Sequence, residues 1–502
     1  MNRDGFSILD LYGEDHAAEA NDSIHQDLNL SQVVDHMAAR FGRNVRKFFT
    51  YMPEDVQEVK YRRAVYTDVK KEAVQQALLR FTAKLTELEQ LRKDKDKVLN
   101  NMQKNMWEIR ETAFYCDMYV SLKQELSEAQ PESEGLKDFL QLLEEILAED
   151  LFQKSIEETG RILKEIRELR FLITYDRDRL SVVLGEVPGQ GAYEEWLSGA
   201  EEKEVTTMPS PYGAEIPLCD LELACLSELE DKKPQLFKAI RKSKIQAEPL
   251  QLIPLKRFEK EILFYLAYVT MQQEMEAAGF AFCTPKITEG RKTEAEGLYD
   301  LALALTSLKD GRIVVSNDFE YKMGEKFFVL TGPNQGGKTT FARSLGQLIF
   351  LTKMGLDVPA RSATVPCFAG LMTHFSVEES VETGRGKLME ELVRLAPMMK
   401  INKKGSFVVI NELFTTAANY DAQIMGKRVL EHFIAMDCMG IYVTHLKELT
   451  DEKDGIVSLR AMLDENGRQT FKIQRGQADD IPCAENQVNK YRLSYEQLKE
   501  RL

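Results

Sequence analysis

The stretch Lys326-Phe-Phe-Val-Leu-Thr-Gly-Pro-Asn-Gln-Gly-Gly-Lys-Thr-Thr-Phe-Ala-Arg-Ser-Leu345 decides the fold of the second half of this chain. Phe327 to Leu330 are apolar and read as a short buried strand. Gly332 to Thr339 then matches G-x-x-x-x-G-K-[ST], and a helical pattern follows at once. Strand, glycine loop and helix in that order are what a phosphate cradle needs: loop N–H groups wrap the phosphates and the helix N-terminus adds a favourable dipole. Lys338 is expected to reach the β- and γ-phosphates of ATP, and the Thr339 hydroxyl to hold Mg²⁺. The candidate cradle is Gly332, Pro333, Asn334, Gln335, Gly336, Gly337, Lys338, Thr339 and Thr340. The alternative is a glycine-rich turn ahead of an ordinary helix, which leaves the agreement of all four features to chance.

Working outward, Ser406-Phe-Val-Val-Ile-Asn411-Glu412 is an apolar strand ending in the place of a Walker B acidic pair. The first acid of that pair normally helps position Mg²⁺ and the second polarises the attacking water. Here the metal-side position is Asn411, a neutral amide, so weaker metal binding and slow hydrolysis are expected, while Glu412 is intact. Gly440-Ile-Tyr-Val-Thr-His445 is a further short strand ending in a histidine. His445 is a candidate γ-phosphate sensor, against the alternative of a structural core histidine. Gly384-Arg385-Gly386-Lys387 opens an amphipathic helix, whose free N–H groups suit an anion.

Short apolar runs at Ile313–Val315, Phe327–Leu330, Phe407–Ile410 and Ile441–Val443 alternate with helical segments, which predicts an α/β domain with a mainly parallel sheet at 286–480. Upstream, 53–285 reads as an all-α region. No Gly or Pro occurs from Glu54 to Gln130, and Val65, Val69, Val74, Leu78, Leu85 and Leu88 recur at helical spacing, so long paired helices are expected. A second helical block is expected to reach Leu172. It carries Arg161, Lys164, Arg167 and Arg170 on one face, with interleaved glutamates offering internal ion pairs as the simpler reading. Residues 188–217 read as loop, and Arg241, Lys242 and Lys244 form the most basic run. A mixed helical segment at 1–52 and a helical tail at 481–502 complete the chain.

The net charge of −15 argues against a generally adhesive nucleic-acid binder but leaves room for a local basic surface. No apolar run approaches the roughly 18 residues of a membrane span. The start, Met1-Asn-Arg-Asp-Gly-Phe6, lacks the apolar core of a signal peptide. Seven scattered cysteines, the nearest pair Cys219 and Cys225, do not make a C-x-x-C site. Reduced thiols in a cytoplasmic protein are therefore expected, without structural zinc.

Taken together, these motifs resemble the ATPase domain of MutS-like DNA mismatch repair proteins. Thr331 to Thr340 matches its P-loop, with Gly355-Leu-Asp-Val-Pro-Ala360 downstream. Thr383-Gly-Arg-Gly-Lys-Leu-Met-Glu-Glu-Leu392 is similar to its ABC-type signature helix. Tyr420-Asp421 and Thr444-His445 fall on its D-loop and switch histidine, and Asn317 fits the Asn ahead of the P-loop strand. The resemblance implies an ABC-type P-loop fold behind helices of core, lever and clamp type. It also implies a homodimer with ATP held between one copy's P-loop and Gly384 and Arg385 of the other. The implied activity is a slow ATPase acting on mismatched, branched or distorted double-stranded DNA. The chain departs from the pattern at Asn411, at Gly386-Lys387 in the signature, at Val314 in the place of the adenine-stacking aromatic, and at Phe414-Thr-Thr416 for the D-loop glycines. It also looks short for the mismatch-reading domain and the C-terminal dimerising segment, so mismatch reading is not carried over. Three other readings stay open: a nucleotide-gated scaffold that recruits a protein partner without DNA, an arm-bearing chromosome-type ABC ATPase, and a small-molecule P-loop kinase, which gives the long helices no role.

Overall fold

The computed structural model describes residues 3–12, 22–97, 101–169, 171–176, 179–184, 220–243, 245–376, 386–400, 403–451, 453, 455–477 and 499. These form two compact units, one of Met1–Phe6 and Asp68–Glu259, the other of Ser7–Thr67 and Lys260–Leu502. Helices α1 (Asp22–Asp27), α2 (Leu30–Phe41) and most of α3 (Val56–Val69) belong to the second unit. The first unit holds α4 (Glu72–Asp96), α5 (Asn101–Ala129), α6 (Glu134–Leu147) and α7 (Asp150–Glu168), strands β1 (Phe171–Asp176) and β2 (Arg179–Leu184), then α8 (Asp220–Lys232) and α9 (Pro234–Lys242).

In the helical unit α4 and α5 run antiparallel. Arg80 bonds Glu125 at 2.7 Å, Lys84 bonds Asp117 at 2.9 Å and Arg92 bonds Glu111 at 2.8 Å, the partner number falling as the first rises. Between these charged rims, Val74, Leu78, Phe81 and Leu88 on α4 and Met118, Tyr119 and Leu122 on α5 are buried, the apolar stripe that the helical spacing requires. Phe139 and Phe258 stack with ring centroids 3.5 Å apart in the same core. The region is not all-α. Helix α7 ends at Glu168, and Phe171 onward pairs with Arg179–Leu184 as an antiparallel hairpin. Aromatic and β-branched residues at Phe171, Ile173, Thr174 and Tyr175 favour a pleated strand over a further helical turn. On α7, Arg161, Lys164 and Arg167 are exposed, and Lys164 lies 3.9 Å from Glu168. Arg170 and Lys244 lie outside the described residues, as does the 188–217 stretch.

Helix α10 (Ile253–Ala277) leads into the α/β part of the second unit. There β3 (Lys286–Thr288), β4 (Thr293–Leu298), helix α11 (Leu301–Asp310), β5 (Asn317–Tyr321), β6 (Phe327–Thr331), helix α12 (Lys338–Lys353), β7 (Ser362–Pro366) and β8 (Leu371–Phe375) follow in order. Helix α13 (Lys387–Lys400), β9 (Phe407–Asn411), helix α14 (Asn419–Ala435), β10 (Met439–Val443), β11 (Ile456–Leu463) and β12 (Gln469–Arg475) complete it. The six-stranded sheet has the order β12-β11-β6-β10-β9-β8, with every pair parallel except β11 and β12. Strands β6, β8, β9 and β10 are buried at every position, as expected of strands covered on both faces. A separate sheet of order β3-β7-β4-β5 is mixed, with β3 and β7 parallel and the other pairs antiparallel. Ile313–Val315 is not a strand: the segment is irregular, Ile313 is exposed, and pairing begins only at Asn317. An apolar triplet leaves strand and cleft wall indistinguishable until its neighbours are known. Among the described residues no helix is long and apolar enough to cross a membrane.

Candidate nucleotide cleft

The C-terminal ends of β6, β9 and β10 lie side by side, which is where open α/β sheets place their ligand crevice. Strand β6 turns into the loop 332–337 through backbone that few side chains tolerate: Gly332 has φ 134°, Gln335 62° and Gly337 86°. A Cβ at Gly336 would stand 3.0 Å from the Pro333 carbonyl and 3.1 Å from the Ala461 Cβ, so any larger residue would have to push these neighbours back by a few tenths of an ångström. Gly337 caps α12 from the left-handed region. Lys338, buried at the first position of α12, donates to the Gly332 carbonyl at 3.0 Å and the Pro333 carbonyl at 2.9 Å. Its ammonium therefore sits inside the loop it is expected to serve. The Asn334 carbonyl accepts from Gln469 at 2.7 Å, and Thr340 lines the cleft.

Thr339 Oγ1 donates to Asn411 Oδ1 at 3.0 Å, joining the P-loop helix to the end of β9. Next to it Glu412 adopts φ 54°, with its N–H on the Val443 carbonyl at 2.9 Å and its carboxylate 3.3 Å from His445 Nε2. The His445 hydrogen bond holds the Glu412 carboxyl below the usual carboxylate range. Lys338 and Lys387 add to this, against the opposing effect of burial. Phe414 repeats the left-handed conformation at φ 62°. Two such non-glycine residues cost roughly 1–3 kcal/mol each and persist only where the surroundings over-determine them. The cleft encloses about 560 Å³, within the range of small-molecule sites. Lys338, Thr339, Glu412 and His445 line it together with Tyr299, Arg312, Ile313, Val315 and Phe471.

The oxygen pair Thr339 Oγ1 and Asn411 Oδ1 suits a hard cation that keeps water and phosphate oxygens as most of its shell. Among the described residues no three His, Cys, Asp or Glu side chains gather as a metal group. That donor set fits Mg²⁺ carried with a nucleotide and does not fit a dedicated protein-only metal cage.

The MutS domain V family model matches residues 328–478, the span that holds the loop 332–337, Lys338, Thr339, Asn411, Glu412 and His445. The DNA mismatch repair protein MutS of Shouchella clausii is 26% identical over 260 residues, covering 50% of this chain and 29% of that protein. The protein of the same name from Thermotoga petrophila is 25% identical over 264 residues, covering 51% and 32%. That from Thermotoga sp. strain RQ2 is 24% identical over 360 residues, covering 70% and 42%. The chain is similar to MutS proteins, and residues 328–478 match MutS domain V. It spans well under half the length of these relatives.

Not every residue singled out in this MutS-like sequence faces the cleft with a spare polar atom. Asn317 is at the wall, but its Nδ2 donates to the Phe471 carbonyl at 3.1 Å and its Oδ1 accepts from the Ile473 N–H at 2.8 Å, so its amide pins β12. Gly384 and Arg385 lie outside the described residues. Helix α13 is described from Lys387, and Gly386, Lys387, Leu388, Met389, Leu392 and Thr416 line a shallow groove there. Tyr420 is exposed and Asp421 sits in the first turn of α14. Sequence reasoning missed Phe471, whose ring packs beside Gly337, because nothing in β12 marks it. It also missed Asp27. This carboxylate accepts from Thr373 at 2.8 Å and from Arg394 of α13 at 3.0 and 3.1 Å, while the Asp27 carbonyl accepts from Arg343 of α12. A single acid near the start of the chain gives no pattern to read.

Proposed function

We propose that this MutS-like chain binds ATP with Mg²⁺ in the cleft at the end of β6, hydrolyses it slowly, and acts as a homodimer on mismatched, branched or distorted double-stranded DNA. The observation that carries this reading is the Thr339–Asn411 hydrogen bond, with Glu412 and His445 beside it over the same loop. Lys338 exchanges its loop carbonyls for phosphate oxygens, and the loop N–H groups complete the cradle. Glu412, kept ionised by His445, accepts a hydrogen bond from the attacking water and orients it. Thr339 and Asn411 would hold Mg²⁺, which would supply charge compensation for the phosphates. Asn411 contributes an oxygen but no charge, which is why slow turnover is expected.

In this reading residues 286–480 are the nucleotide domain, 53–285 the core, lever and clamp region, and 1–52 and 481–502 accessory segments, in a cytoplasmic protein. A second copy supplies Gly384 and Arg385 to the nucleotide. The exposed cations Arg161, Lys164 and Arg167 of α7 support DNA contact by the helical unit. Asn411 and the net charge of −15 favour one alternative, a nucleotide-gated scaffold that recruits a protein without DNA.

The test is single-turnover hydrolysis at saturating Mg²⁺ for the unsubstituted chain, Asn411→Asp and Glu412→Gln. Asn411→Asp is expected to be faster, and Glu412→Gln slower by about 10²-fold with ATP affinity nearly intact. Unchanged rates in both variants refute the assignment of β9. A binding survey of homoduplex, mismatched and branched DNA, with and without ATP at two salt concentrations, separates the DNA reading from the scaffold. Failure of every form to bind favours the scaffold.

A further inference from the structure

We infer that Glu391 is a positioning residue for Glu412: its carboxylate, carried on α13, anchors the left-handed corner from which Glu412 projects. The inference rests on the proposed role of Glu412 in orienting water.

Glu391 is 1% exposed. Its Oε2 accepts the Phe414 N–H at 2.9 Å, two residues beyond Glu412. Its Oε1 is buried without a hydrogen-bond partner among the described residues. Burying a carboxylate is costly, and an apolar side chain of similar size would fill this position without that penalty. What the carboxylate provides is one acceptor, delivered to a backbone N–H that the unusual corner turns inward. Glu412 at φ 54° and Phe414 at φ 62° need such outside support to persist. Backbone bonds also tie the corner, from Glu412 N–H to the Val443 carbonyl at 2.9 Å and from Ala417 N–H to the Phe414 carbonyl at 3.1 Å, and the Glu412 carboxylate lies 3.3 Å from His445.

One turn further along α13, Arg394 donates to the Phe375 carbonyl at 2.9 Å and to Asp27. Phe375 ends β8 and pairs with Asn411 at the end of β9. Glu391 and Arg394, three apart and so on one helical face, thus staple α13 to the ends of two adjacent strands. Any sliding of α13 is transmitted through Glu391 to the backbone that aims Glu412.

Three variants of the full chain test this. Glu391→Met removes the acceptor at similar volume, and Glu391→Asp keeps the charge but shortens the reach by one methylene. Glu391→Gln keeps an amide oxygen to accept the same N–H. In Glu391→Met and Glu391→Asp, single-turnover hydrolysis is expected to fall by about tenfold to a hundredfold, as misplacement of a catalytic group does. ATP affinity should stay within about twofold, and the Phe414 amide should exchange with solvent about tenfold faster as the corner loosens. Glu391→Gln is expected to retain most of the activity and the protection. Should Glu391→Met fail to fold, Glu391→Asp carries the test. Undiminished turnover in the disruptive variants, an equal loss in Glu391→Gln, or unchanged Phe414 exchange overturns the inference. If the unsubstituted chain hydrolyses nothing, the proposed function fails separately. Phe414 exchange then decides the anchoring: faster in Met and Asp but not in Gln upholds it, and any other pattern overturns it.

Discussion

Glu111 in the helical unit and Glu391 in the nucleotide-cleft unit are both buried carboxylates on helices, yet their surroundings drive them in opposite directions. Glu111 accepts from Arg92 at 2.8 Å and from Lys95 at 2.6 Å. Burial pushes its carboxyl up, but the hydrogen bonds from Lys95 and Arg92 outweigh burial and hold it below the ordinary range. Glu391 is pushed up by burial, and the Phe414 N–H and the Lys387 charge do not offset that. In the helical unit the charges are matched to one another across α4 and α5, so they serve stability. At the cleft the charged groups answer to backbone or to one another loosely, an arrangement that suits positioning and costs stability.

That contrast is open to three measurements, the largest effect first. Lys338→Ala removes an ammonium bonded to two loop carbonyls. Loss of charge-assisted hydrogen bonds worth about 1.5–3 kcal/mol should weaken nucleotide affinity by about 10- to 150-fold, with little change in melting temperature. Unchanged affinity by equilibrium titration removes the P-loop assignment.

Glu111→Gln should behave in the reverse way, leaving nucleotide affinity alone and destabilising the fold by about 1–3 kcal/mol at pH 7. The sign with pH follows from its depressed folded value. Its contribution is fully present above the unfolded carboxylate value of about 4.3 and is lost as pH falls through the folded value. Thermal melts from pH 7 downward should therefore converge with those of the variant in acid. Parallel curves at all pH values would remove Glu111 from the account.

Glu391→Gln should have the smallest effect on stability, and of the opposite sign. A carboxyl whose folded value is raised destabilises the fold above that value, and the deficit closes as pH falls through it towards the unfolded value. The variant is expected to melt at or slightly above the unsubstituted chain at pH 7, with the two converging on acidification. A clear drop at pH 7 would make Glu391 a stabilising strut like Glu111 and erase the contrast.

Much of this was legible in the chain because it is local. The strand, glycine loop and helix around Lys338 are consecutive residues, and so is the apolar strand that ends in Asn411-Glu412. The freedom from Gly and Pro that yields α4 and α5 is equally a property of the chain read in order. Periodicity and turn chemistry act over a few residues, so they survive without any knowledge of neighbours. Tertiary structure alone decided the features that depend on a partner brought from elsewhere. Packing turned the end of the second helical block into a hairpin and made Ile313–Val315 a wall of the cleft where a strand was expected. It turned the Asn317 amide onto β12, set Thr339 against Asn411 across 72 positions of chain, and brought Asp27 to Arg394 across 367. It also gave Glu391 its one acceptor role. A side chain's type fixes what bonds it is able to make, but only the folded backbone sets which donor comes within reach.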